Sequence, residues 1–203
     1  LEVDIKLKDD TPFYIRPYPV AEHKKAIIDK ELKKLRQMGV LEFAKSSYIS
    51  PMLLLRKGDG SYRLCADLRV LNTRVAPLHC STPLLKDALQ TLGASKAKLI
   101  STIDIKHAFY SLKVNKDSRK YLAFSPYPGG RTMQYRRLTQ GLNFSPTSWF
   151  DLIQEILAEI PNSDKFCLAI ADDILIFSRT ATEHMSAIRK ILTALADNGL
   201  KVS

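Results

Sequence analysis

The sequence is poor in the residues that build covalent or metal frameworks. It has only three Cys (Cys65, Cys80 and Cys167). None has metal-ligand spacing, and they read as reduced thiols rather than a disulfide scaffold. No apolar run approaches the ~20 residues of a membrane span. Nothing has the build of a signal peptide, and there is no internal repeat or low-complexity tract. Negative charge is also scarce, with 21 Asp and Glu against 31 Lys and Arg and a net charge of +10. That excess favours a polyanionic partner through phosphate contacts and counterion release, although a generic basic protein would carry it too. Apolar residues make up 45% of the 203, enough to bury a core as one domain or two subdomains.

The chemistry concentrates in Lys165–Ser178. There Asp172 and Asp173 stand between two apolar, β-prone runs, with no Gly or Pro to explain a simple turn. Like charges this close raise each other's pKa. A cation relieves the conflict, and an all-oxygen site suits Mg²⁺ or Mn²⁺. The alternative is a tight hairpin whose Asp side chains merely suit turn geometry. A further carboxylate, Asp104, lies 68 residues upstream of Asp172 in Leu99–Tyr110. That run reads as a strand with Ile103 and Ile105 on one face and Asp104 on the other. If it pairs beside the hairpin, three carboxylates meet at one sheet edge, as two-metal phosphoryl or nucleotidyl transfer requires; otherwise Asp104 simply faces water.

Elsewhere the patterning predicts an extended, Pro-punctuated start through Pro19. A helix from about Ala21 to Met38 follows, with Ile28, Leu32 and Leu35 inward, a lysine-rich outer face and a stop at Gly39. Met52–Leu55 and Tyr62–Ala66 form a hairpin around Lys57–Gly60. Tyr121–Ser125 and Met133–Arg137 form another. Ser145 and Pro146 open a helix whose apolar face is Trp149, Phe150, Ile153, Ile156, Leu157 and Ile160, which places Trp149 in the core and not in a base-stacking platform. Thr180-x-x-Glu183 is a capping box for a last helix, expected to bury Met185, Ile188, Ile191, Leu192 and Leu195 before Asn198–Gly199.

Six ordered blocks carry a family resemblance. They are Leu35–Leu41 with Ser47–Pro51, Arg56–Asn72, Asp104–Tyr110, Asp117–Phe124, Leu138–Pro146 and the aspartate pair. Together they resemble the fingers and palm of reverse transcriptases from retroviruses and gypsy-type LTR retrotransposons, along almost the whole chain. The resemblance implies an α+β fold, a right-hand polymerase without its thumb, in which helices pack on one face of an antiparallel palm sheet. Fingers would comprise 1–78 and 112–144, and palm 79–111 and 145–203. The implied activity is RNA-directed, and DNA-directed, DNA polymerisation. A primer 3′-hydroxyl attacks a dNTP at two Mg²⁺ ions, for which Mn²⁺ can substitute.

By the same resemblance Asp104 and Asp172 bind both metals, the Ile105 carbonyl adds an oxygen, and Asp173 is the third acidic member. Arg63 and the Arg56–Lys57 pair contact the triphosphate, either member of the pair serving. Phe109 closes the space a 2′-hydroxyl would need, and Gln140 packs on the nucleotide. Ile170 and Ala171 position the primer. The family usually has an aromatic, most often Tyr, where this chain has Ile170, so altered primer positioning or fidelity is expected.

The implied setting is a retroelement Pol polyprotein, with thumb, RNase H, integrase and protease domains as companions. RNA/DNA template–primer and dNTPs are its partners, without a membrane. Cytoplasmic virus-like particles or virions are the expected location, with nuclear passage open. Ile170 and the absence of thumb blocks leave one rival: a domesticated or decayed palm-like module that binds nucleic acid or a protein partner without catalysis.

Overall fold

The computed structural model describes residues 2–78, 85–170 and 173–203. In chain order the elements are β1 (Glu2–Val3), β2 (Phe13–Tyr14), α1 (Glu22–Gln37), β3 (Leu41–Phe43), β4 (Tyr48–Arg56), β5 (Tyr62–Ala66) and α2 (Arg69–Arg74). There follow α3 (Leu85–Ser95), β6 (Leu99–Asp104), β7 (Lys113–Val114), β8 (Ala123–Ser125), β9 (Met133–Tyr135) and α4 (Ser145–Ala158). The chain closes with β10 (Cys167–Ile170), β11 (Asp173–Ser178) and α5 (Ala181–Asp197). These elements group into two compact units, 1–77 with 112–145 and 78–111 with 146–203.

The first unit is built on a mixed sheet in the order β2-β4-β8-β9-β3, with β5 paired to β4. α1 forms as its periodicity requires, with Ile28 and Leu32 buried. It stops where Gly39 takes φ +71°, a left-handed conformation that a side chain would disfavour. The β4–β5 hairpin pairs Arg56 with Tyr62. At its turn Asp59 accepts hydrogen bonds from the Ser61 amide (2.9 Å) and hydroxyl (2.6 Å), an Asx-type closure. The core of this unit includes Leu71, Val114, Leu122, Phe124, Tyr135 and Leu138, all fully buried.

The second unit carries a three-stranded antiparallel sheet, β10-β11-β6. Alternation along β11 buries Ile174 and Ile176 and leaves Asp173 exposed. On β6 Asp104 is exposed while the next residue, Ile105, is buried. Asp173 and Asp104 therefore each point away from the buried isoleucine that follows them, Ile174 and Ile105. α4 buries Trp149, Phe150, Ile153, Ile156 and Leu157, with Trp149 core at 1% exposure, and Ile160, expected on the same face, is buried just past the end of the helix.

α5 opens with the expected capping box: Thr180 Oγ1 accepts from the Glu183 amide (3.3 Å), and the Glu183 carboxylate accepts from the Thr180 amide (3.1 Å). Its buried stripe differs from the expected one. His184, Ala187, Ile191 and Leu195 point inward, whereas Met185 is 61% and Leu192 37% exposed. Ile191 and Leu195 are buried as expected, so the two stripes overlap and differ by a small rotation of the helix. The observed one wins because His184 finds hydroxyl partners beneath it, and Ala187 is small enough for the helix to approach. Among the described residues no helix is long and apolar enough to cross a membrane.

Candidate active site

The β6–β11 register sets Asp104 directly opposite Asp173. Both residues are exposed. Like charges at directly opposed positions destabilise an antiparallel pair, so this edge of the sheet favours a cation.

The backbone beside Asp104 is arranged for the same purpose. Ser203 N–H donates to the Asp104 carbonyl (3.0 Å), and Lys106 N–H donates to the Lys201 carbonyl (2.7 Å). Strand alternation then turns the Ile105 carbonyl toward the edge that β11 occupies. Two carboxylates and one peptide oxygen are hard donors, which fit Mg²⁺ or Mn²⁺ and not a thiolate-seeking metal. Among the described residues no three His, Cys, Asp or Glu side chains converge. Asp172, the expected third carboxylate, and Ala171 lie outside the described residues. Ile170 is described: it pairs with Asp173 across the β10–β11 ladder.

Beyond Asp104 the chain leaves the strand through His107, whose φ of +57° is left-handed. A 3₁₀ turn over Ala108–Ser111 follows, closed by Tyr110 N–H donating to the His107 carbonyl (2.8 Å). Phe109 lies within this turn, half-buried, and Ala108 anchors it in the core. The β6 end and this turn belong to the same compact unit as Asp173.

The other expected residues lie in the first unit. Arg56 and Lys57 end β4 and enter its turn, Arg63 faces Leu55 across the hairpin, and all three are exposed. Gln140 is exposed on a turn that sequence reasoning did not explain. Asn72 holds that turn from α2. Its amide nitrogen donates to the Gly141 carbonyl (2.7 Å), and its side-chain oxygen accepts from the Asn143 amide (3.0 Å). Gly141 has φ +96°, and a Cβ there would meet the Ala66 carbonyl at 3.5 Å. Ser145, read as a helix cap, donates its hydroxyl to the Thr139 carbonyl (2.7 Å) and so closes the same segment from its far end.

The start of α2 is held by charge. Arg69 grips Asp67 with two donors at 2.8 and 2.6 Å, and Tyr18 Oη donates to the same carboxylate at 2.8 Å. These donors, Arg69 foremost, pull the Asp67 carboxyl down to about 2. Tyr48 shows the converse. Its hydrogen bond to the Asp10 carboxylate pushes its hydroxyl up to about 12. Burial pushes Cys167 up to about 11, the mark of an inert core thiol.

Residues 55–203 match the family model described as reverse transcriptase (RNA-dependent DNA polymerase). The retrovirus-related Pol polyprotein of transposon 297 from Drosophila melanogaster is 30% identical over 95% of this chain, and the chain spans 18% of that polyprotein's length. Among solved structures, a prototype foamy virus protease–reverse transcriptase superposes with a TM-score of 0.87 at 25% identity, covering 100% of this chain and 26% of that one. A foamy viral protease–reverse transcriptase in complex with double-stranded DNA gives a TM-score of 0.82 at 26% identity, over 100% of this chain and 34% of that one.

Proposed function

The chain belongs to the reverse transcriptase family, and from that premise we propose that it is the fingers-and-palm part of an RNA-directed DNA polymerase. It would join a dNTP to a primer 3′-hydroxyl and release pyrophosphate. The observation that carries the proposal is the pairing of Asp104 with Asp173 at one sheet edge. An inert scaffold has no use for opposed carboxylates, whereas metal-dependent nucleotidyl transfer needs them.

Asp104, Asp172 and Asp173, with the Ile105 carbonyl, would hold two Mg²⁺ or Mn²⁺ ions. Bound there, the ions would activate the attacking oxygen and offset charge on the triphosphate. The protein's own share is alignment and charge neutralisation. Arg63, with Arg56 or Lys57, would take the triphosphate oxygens as hydrogen-bond donors. Gln140, on a turn clamped by Asn72, would seat the nucleotide. Phe109 would exclude a 2′-hydroxyl. Ile170 keeps apolar bulk beside Asp173 but offers no hydroxyl to the primer terminus.

We read 1–78 and 112–144 as fingers and 79–111 and 145–203 as palm; the bounds of the two compact units support the reading. A duplex template–primer as partner is supported by the DNA complex of the foamy viral relative and by the net charge of +10. Thumb, RNase H, integrase and protease domains would come from a longer polyprotein, of which this chain is a small share as it is of its relatives.

Primer extension tests the activity. The chain, in excess over a DNA primer annealed to RNA or to DNA, is expected to add dNTPs on both templates. Binding to both duplexes without any addition would leave a non-catalytic binding module in its place.

A further inference from the structure

His184 is buried, at 7% exposure, and no step of the proposed reaction uses it. It lies in the first turn of α5. Its Nε2 is 2.8 Å from Ser101 Oγ on β6, and its Nδ1 is 2.9 Å from Ser178 Oγ on β11. The proton count sets the direction of both bonds. Ser178 spends its hydroxyl proton on the Thr180 carbonyl (3.2 Å), so it accepts from Nδ1–H. Nε2 then accepts from the Ser101 hydroxyl. Ring and hydroxyls are all satisfied, and the imidazole joins the two strands that carry Asp104 and Asp173.

Those strands need such a device. They lie far apart in the chain, so no hairpin turn sets their register. Hydrophobic patterning sets only the parity: a one-residue slip would turn buried faces to water. A two-residue slip keeps Ile103 of β6, and Ile174 and Ile176 of β11, on their present face. It would, however, oppose Asp173 to Thr102, or Asp104 to Leu175, and part the carboxylates. Ser101 pairs with Ile176, and Ser178 pairs with Leu99. The two serines therefore stand on a diagonal of the ladder, a separation of about 7–8 Å between backbones. Neither hydroxyl crosses that diagonal alone. An imidazole bonded at both nitrogens does, and only in the observed register.

We propose that His184 is a positioning residue: a buried polar clamp on the reverse face of the sheet that selects the one β6–β11 register in which Asp104 and Asp173 face each other. Buried polar groups are best attested in this registry role. The consequence for metal binding rests on the function proposed above; the register itself does not.

The test follows cross-strand proton contacts by NMR in the full 203-residue chain, together with the Mn²⁺ concentration that half-broadens the Ile174 amide. His184→Leu keeps apolar volume and loses both bonds. It is expected to show a second set of contacts, Asp173 with Thr102 or Asp104 with Leu175, and to need roughly tenfold more Mn²⁺. His184→Gln, which retains a donor and an acceptor, should restore the single native set. Ile191→Val, which loosens the same helix without touching the clamp, should leave both readouts unmoved. If His184→Leu fails to fold, Ser101→Ala removes one bond and takes its place in the comparison. A single native contact set and an unchanged Mn²⁺ midpoint in a folded clamp variant, with only a lower melting temperature, would overturn the proposal. Absence of broadening in the wild type would count against the metal reading alone, and the contact sets would still decide the clamp.

Discussion

Asp104 ends β6 directly opposite Asp173, which begins β11. Opposed carboxylates work against the ladder that holds them, and stability given up at a site usually marks function. Asp104→Asn or Asp173→Asn should therefore leave the melting temperature unchanged or raise it in metal-free buffer. Adding Mn²⁺ should raise the melting temperature of the wild type and not of either variant, because a ligand bound only by the native state stabilises it. Thermal unfolding with and without Mn²⁺ checks both halves.

Asn72 ties Gln140's turn through two hydrogen bonds. Asn72→Ala removes both, at a cost of about 1–2 kcal/mol. The KM for dNTP should rise more than kcat falls if, as proposed, the turn seats the nucleotide, since it carries none of the carboxylates. Steady-state kinetics separate the two effects.

Phe109 stands in the turn after β6. Phe109→Ala should open the space beside the sugar and relax the preference for dNTPs over rNTPs by roughly tenfold or more. Competing incorporation of the matched dNTP and rNTP measures it. An unchanged ratio would make Phe109 an ordinary packing residue.

Asp67 is held at about 2 by Arg69, below the ordinary carboxylate value of about 3.9. A depressed folded pKa contributes stability above the unfolded value and loses it as pH falls. The contribution should be full above about pH 5 and vanish toward about pH 2. Its size is about 1 kcal/mol once water screens the exposed Arg69 guanidinium. Urea unfolding across that range should show the loss, and Asp67→Asn should lack it.

Ile191 is fully buried and Leu192, its neighbour, is 37% exposed. Ile191→Ala should cost about 2–5 kcal/mol, and Leu192→Ala under about 1 kcal/mol. The helix pattern alone would rank the two alike, so chemical denaturation of the pair decides between the expected and the observed stripe.

What the sequence made legible follows from the range of the forces involved. α4 was readable because Trp149, Phe150, Ile153, Ile156 and Leu157 form one broad apolar face, all of it buried. The α5 cap was readable because Thr180 and Glu183 are three residues apart. Alternation around Asp104 announced a strand with an outward carboxylate, and the apolar runs on either side of the aspartate pair announced the hairpin strands. Ile191 and Leu195 on α5 were readable, but His184 as an inward residue was not, because a histidine counts as polar until Ser101 and Ser178 are known to lie under it. Asn72's hold on Gly141 and Asn143 was equally hidden, since its partners stand 69 and 71 residues away. Six ordered motif blocks pointed to the family, and the family model match over 55–203 bears that out.

Single-turnover addition of one dNTP to a DNA primer on an RNA template, in Mg²⁺ and then Mn²⁺, tests the account most directly. It compares the wild type with Asp104→Asn and Asp173→Asn at equal occupancy of template–primer. The account predicts addition by the wild type and a loss of at least about a hundredfold in each variant. Equal addition by wild type and variants, or template–primer binding with no addition in either ion, would contradict it.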